Sequence, residues 1–167
     1  LGSAGFFALT EQPRRVWVVG AGYIGVGLAG VMHSLGSETN LIVRRHAPLR
    51  NFDPIIHETL VEMMAESGPT LHTHNEITHV EKQQDGSLLI TLKGEATIEA
   101  DCLIWAIGRA PATDNIGLEN TDVERLPFGT IQVDKYQNTT ASGIYAVGET
   151  TSENKRTPGA GKRGRPA

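Results

Sequence analysis

The stretch Arg14–Arg50, RRVWVVGAGYIGVGLAGVMHSLGSETNLIVRRHAPLR, decides the fold. An apolar run, Val16 to Val19, enters a glycine turn at Gly20, Gly22 and Gly25. A helix-length segment, Tyr23 to about Leu35, follows, and after Gly36 a second apolar run reads Leu41, Ile42, Val43. The order strand, turn, helix, strand is the βαβ unit in which G-x-G-x-x-G has a mechanical meaning. Gly20 permits the tight turn, Gly22 lets the backbone approach a pyrophosphate, and Gly25 lets the helix lie close on the strand. The phosphates of a dinucleotide then sit at the positive end of the helix. Gly25, Gly27 and Gly30 each cost ~1 kcal/mol relative to alanine in a helix interior. That cost points to a close approach on one side: Gly30 is expected to bring the helix onto the sheet, and Gly27 has no reason legible in the sequence.

A nicotinamide-binding unit of this kind normally carries Asp or Glu about 20 residues past the glycines, bonded to the ribose 2′-hydroxyl. Here the second strand closes on Arg44, Arg45 and His46, with Arg50 a few residues on. A carboxylate repels a 2′-phosphate, whereas guanidinium forks bind one through charge-assisted hydrogen bonds. Two arginines at ~1.5–3 kcal/mol each set a ceiling on NADPH preference of roughly 10²- to 10⁴-fold. The competing reading is a solvated basic loop; its position and sign agree with the coenzyme chemistry.

Composition narrows the class. The 167 residues have room for one domain with a proper core, and 39% apolar with 20% charged residues is ordinary globular usage. A net charge of −4 exerts no general pull toward nucleic acid or membrane. The apolar runs fall far short of the ~20 residues a membrane helix needs, and no signal segment opens the chain. A single cysteine, Cys102, rules out an intrachain disulfide, and these features suit a reducing, cytoplasmic setting.

Around the core stretch, Leu1 to Pro13 reads as a linker without a helix start, in which Phe6 and Phe7 pack on a neighbour. Asp53 and Pro54 open a second helix as N-cap and first helical residue, and Gly68-Pro69 ends it. Thr70 to His74 reads as a short strand. Ile77–Lys82, Leu88–Leu92 and Ala96–Ala100 read as an antiparallel meander, with turns at Asp85-Gly86 and Gly94. His72 and His74 would share a strand face near His79, but without a second ligand type at zinc spacing no metal site is expected. Asp101–Ile107 is a buried-strand pattern holding an inert Cys102. Ile131–Asp134 and Gly143–Val147 read as further short strands. From Thr151 the segment TSENKRTPGAGKRGRPA lacks apolar periodicity and reads as a disordered basic tail.

The motifs GAGYIG with RRHAPLR and FDP, then CLIWAIGRAP, then DKYQNT with GIYAVGE, resemble the NADP(H)-binding domain of bacterial glutathione reductase. That enzyme is one of the flavin-dependent pyridine nucleotide–disulfide oxidoreductases, and the likeness runs from Ser3 to Thr150. It implies an α/β fold with a Rossmann-like parallel sheet, helices and an antiparallel β-meander. It divides the chain into residues 1–13 leading from an FAD domain, 14–110 binding NADP(H), 111–150 returning toward the FAD domain, and the tail 151–167. By resemblance Gly20, Gly22, Ile24 and Gly25 contact pyrophosphate and ribose, and Tyr23 is an aromatic gate over the flavin. Arg44, His46 and Arg50 form the 2′-phosphate clamp, with Arg45 beside them. Ile107, Gly108 and Arg109 lie near the nicotinamide half, and Gly148 with Glu149 meets the FAD ribityl chain. The family carries Glu at the position of Gly27, Asp at that of Glu149, and often Ala at that of Gly25.

The function so implied is NADPH-dependent reduction of glutathione disulfide through FAD, by a homodimer whose partner for this chain is a small dinucleotide. The FAD domain with its redox cysteine pair, and the interface domain with its catalytic histidine, are expected outside this chain, which alone is not expected to turn over. A stand-alone NADP(H)-binding or regulatory module, and a non-functional remnant, are the alternatives.

Overall fold

In a computed structural model of the chain, residues 1–151 are described. Residues 152–167, the bulk of the expected basic tail, lie outside the described residues. Tertiary contacts divide the chain between Gly108 and Arg109 into two units.

The first unit is built on β1 (Arg15–Val19). It pairs in parallel with β2 (Glu38–Ile42) and β7 (Cys102–Trp105), and β3 (Thr70–His72) extends the sheet in the order β3-β2-β1-β7. Parallel neighbours need crossovers. α2 (Tyr23–Ser34) supplies the first and α3 (Pro54–Ser67) the second. The third is the antiparallel meander β4 (Ile77–Lys82), β5 (Leu88–Leu92) and β6 (Thr97–Ala100).

The strand alternation explains why the first apolar run has no polar interruption. Val16 and Val18 point to the helices and pack with Leu28, Ala29 and Met32. Trp17 and Val19 point the other way and pack with Ile90, Leu92 and Ala100 of the meander. A strand covered on both faces must be apolar at every position. β7 divides likewise, Cys102 and Ile104 facing the helices and Leu103 the meander. Burial pushes the Cys102 thiol up, so it stays protonated core. The lower ends of β1 and β7 are tied by Asp101, which accepts from the Arg15 amide at 2.8 Å and from its guanidinium at 2.7 Å.

Four local expectations need correction. Residues 3–7 form a short helix, α1 (Ser3–Phe7), because Phe6 docks against the helix-side core. The third strand stops at His72; His74 has φ +53° and shares no strand face with it. The His72 ring instead bonds the Asn40 side chain at 2.8 Å and lies 4.8 Å from the Trp17 ring, where burial lowers its pKa. Among the described residues no atom lies close to a side chain added at Gly30 or Gly27, so neither glycine serves a close approach there.

The second unit, from Arg109, has a 3₁₀ turn at Leu118–Asn120 and a small core of Val123, Ile131 and Ala146. The strands expected at 131–134 and 143–147 do not form ladders: Ile131 bridges singly to Arg125 and Thr151, and Tyr145 to Asn138. Asp134 explains the interruption. Its carboxylate accepts from the amides of Tyr136 and Asn138 at 2.8 and 3.0 Å, folding a turn where a strand would continue.

Candidate dinucleotide-binding site

The carboxyl ends of β1, β2 and β7 converge on the glycine turn. The Gly20 amide donates to the Ile42 carbonyl at 3.1 Å and the Ala106 amide to the Val19 carbonyl at 2.8 Å, so all three strand ends meet there. The glycines divide into two kinds. A Cβ at Gly20, where φ is +143°, would collide with the Ala106 carbonyl oxygen, and one at Gly25 would lie 2.6 Å from the Gly20 carbonyl oxygen. Both are therefore required by the packing of the protein itself. Gly22 is different: among the described residues a Cβ there meets nothing within 4 Å. Its bareness leaves room directly before α2, whose N-terminus has no side-chain cap and no acidic residue in its first turn. Uncapped amides facing open space are what a pyrophosphate needs. Tyr23 begins the helix exposed, with Ile24 half-buried behind it.

The loop after β2 is joined to this turn by one bond: the Leu49 amide donates to the Ala21 carbonyl at 2.7 Å. Ala47 and Pro48 are buried beneath it, while Arg44, Arg45, His46 and Arg50 are all exposed. Among the described residues Arg44 comes near one carboxylate, with Nε 3.9 Å from Glu76 Oε1. Arg45 and Arg50 make no ion pair there. Leu49 itself adopts φ +52° to deliver its amide. α3 follows at once, with the Asp53 side chain capping the Ile55 amide at 3.1 Å. The His46 ring meets His57 of α3 edge-on, 6.4 Å between centroids.

Ile107 and Gly108 continue from β7 with the Ile107 side chain exposed. Arg109, Gly148 and Glu149 belong to the second unit. There the Arg109 guanidinium pairs with the Glu149 carboxylate at 3.0 Å, and Gly148 turns with φ +96°. The first unit thus gathers the glycine turn, the basic loop and the β7 end along one sheet edge, and the second holds the remaining three residues together. Sequence reading passed over His57 and the Leu49–Ala21 bond. The cap at Asp53 placed residue 57 one turn into α3, but nothing local signalled its neighbour. Among the described residues no group of His, Cys, Asp and Glu is arranged to hold a metal ion, and no helix is long and apolar enough to cross a membrane.

Comparison with known proteins agrees with this architecture. The family model of the pyridine nucleotide-disulphide oxidoreductases matches residues 1–164. Glutathione reductase of Schizosaccharomyces pombe is 42% identical over 98% of this chain, and that of Yarrowia lipolytica 40% over 98%. The chain spans 35% of the length of each. Among solved structures, the HOCl-induced flavoprotein disulfide reductase RclA of Escherichia coli superposes with a TM-score of 0.88 at 25% identity, over 98% of this chain and 37% of that one. LpdA of Mycobacterium tuberculosis gives 0.84 at 26% identity, over 99% and 36%. A match along nearly the whole chain, joined to a βαβ edge of this geometry, makes the chain a member of the pyridine nucleotide-disulphide oxidoreductase family.

Proposed function

We propose that residues 14–110 bind NADP(H) in preference to NAD(H), as the coenzyme-binding part of a glutathione reductase-like flavoenzyme of the bacterial type. Residues 1–13 would then lead in from the flavin domain, and residues 111–150 would return to it. The observation that carries this reading is the bond from the Leu49 amide to the Ala21 carbonyl. It ties a loop bearing Arg44, Arg45, His46 and Arg50 to the turn that receives the pyrophosphate, so both ends of an adenosine moiety are served by one rigid connection.

In this reading the α2 amides and the bare Gly22 hold the pyrophosphate, and the exposed guanidinium groups take the 2′-phosphate. Tyr23 and Ile107, both exposed beside the turn, shelter the nicotinamide half. Glu149, aligned by Arg109, accepts from a flavin ribityl hydroxyl. The reduced nicotinamide supplies hydride for the flavin, and through it for a disulfide such as that of glutathione. Cys102 is the single cysteine of the chain and is buried, so a cysteine pair must come from elsewhere in a complete, homodimeric cytoplasmic enzyme.

Fluorescence titration of the chain with NADPH and NADH tests the reading. NADPH binds more tightly, and Arg44→Glu combined with Arg50→Ala removes most of a preference whose ceiling is roughly 10²- to 10⁴-fold. Equal affinity for the two nucleotides, or an unchanged ratio in the double variant, refutes the clamp.

A further inference from the structure

We propose that His57 of α3 is a further ligand of the 2′-phosphate site, so that it adds to discrimination for NADPH over NADH. This rests on the nucleotide reading just given and adds a residue to it. His46 and His57 come from separate segments, yet their rings meet edge-on with centroids 6.4 Å apart and planes at 78°. His57 is half-buried, although Asn51 to Ile56 and Glu58 on either side are exposed. A charge-assisted hydrogen bond to phosphate spans ~2.8 Å, so one phosphate held over His46 is within reach of both rings.

The test uses the whole chain, titrated with NADPH and NADH at one pH. His57→Gln lowers the NADPH/NADH affinity ratio about five- to tenfold, and His57→Arg, which keeps a donor for the phosphate, holds it close to that of the unsubstituted protein. Adenosine 2′,5′-bisphosphate added to the unsubstituted chain shifts the His57 ring resonances, and adenosine 5′-monophosphate, which lacks the 2′-phosphate, does not. An unchanged ratio in His57→Gln, alongside a ratio that Arg44→Glu with Arg50→Ala still abolishes, overturns the role of His57 and leaves the nucleotide reading standing. Absence of any NADPH preference in the unsubstituted chain overturns both.

Discussion

The two units of this chain hold themselves together by different means. Leu1–Gly108 relies on regular ladders: β1 is buried on both faces, and two apolar clusters sandwich the parallel sheet. Among the described residues, the unit beginning at Arg109 has three buried apolar residues and single β-bridges. Side chains take over the work of a ladder there. Thr113 donates to the Gly129 carbonyl at 2.6 Å, Thr140 to the Asp122 carbonyl at 2.6 Å, and Thr139 to the Ile144 carbonyl at 2.8 Å. The lesson is that apolar area gives the first unit its stability, whereas the second depends on polar side chains satisfying the backbone of a loop-rich segment.

Core truncation puts that contrast under the greatest strain. Ile104→Ala, at a fully buried position on β7, is expected to cost about 3–5 kcal/mol, and Ile131→Ala about 2 kcal/mol, because a three-residue cluster collapses more readily around the void. Urea unfolding followed by circular dichroism reads both, and equal losses would erase the distinction. A smaller effect of opposite sign is expected on α2. Among the described residues nothing lies within 4 Å of a side chain added at Gly27, so Gly27→Ala should stabilise the first unit by about 0.5–1 kcal/mol, visible as a higher melting temperature. Destabilisation would mean that the helix backbone is approached after all.

The smallest effect concerns acid. Hydrogen bonds from the Asn138 side chain and from the Asn138 and Tyr136 amides hold the Asp134 carboxyl below the usual carboxylate range. A depressed folded-state value means the contribution is complete above the unfolded value, near pH 4, and is lost as pH falls through the folded one. Protection of the Tyr136 and Asn138 amides from hydrogen exchange, taken relative to the intrinsic rate at each pH, should therefore fall on acidification, and Asp134→Asn should lower it already at neutral pH. A simultaneous loss of protection in β1 would show that the two units are not independent in this respect.

The same contrast governs how much could be read from sequence. The βαβ unit was legible because its signals are local and redundant: a two-faced apolar strand, glycines at fixed spacing, and the Asp53-Pro54 start of α3. The meander was legible for the same reason, since Asp85 bonds the Ser87 amide and hydroxyl to form the turn, and Gly86 and Gly94 adopt positive φ. In the second unit, apolar runs at 131–134 and 143–147 suggested strands, but a ladder needs a partner in register, and Asp134 diverts the chain first. α1 was missed because five residues carry no periodicity; the docking of Phe6 decides them. Of the candidate site, the residue types were readable and the contacts between segments were not, which is why His57 and the Leu49–Ala21 bond emerged only in three dimensions.

That bond has an engineering consequence. Leu49 presents its amide from a left-handed backbone conformation, with φ +52°, a geometry that asparagine or glycine adopts readily and proline cannot. Transplanting the 44–50 segment from an NADH-preferring relative would thus exchange more than its charges. A donor lacking a suitable residue at the penultimate position would detach the cassette from its hinge, and a failed swap of coenzyme preference would then reflect a lost anchor rather than a wrong choice of side chains.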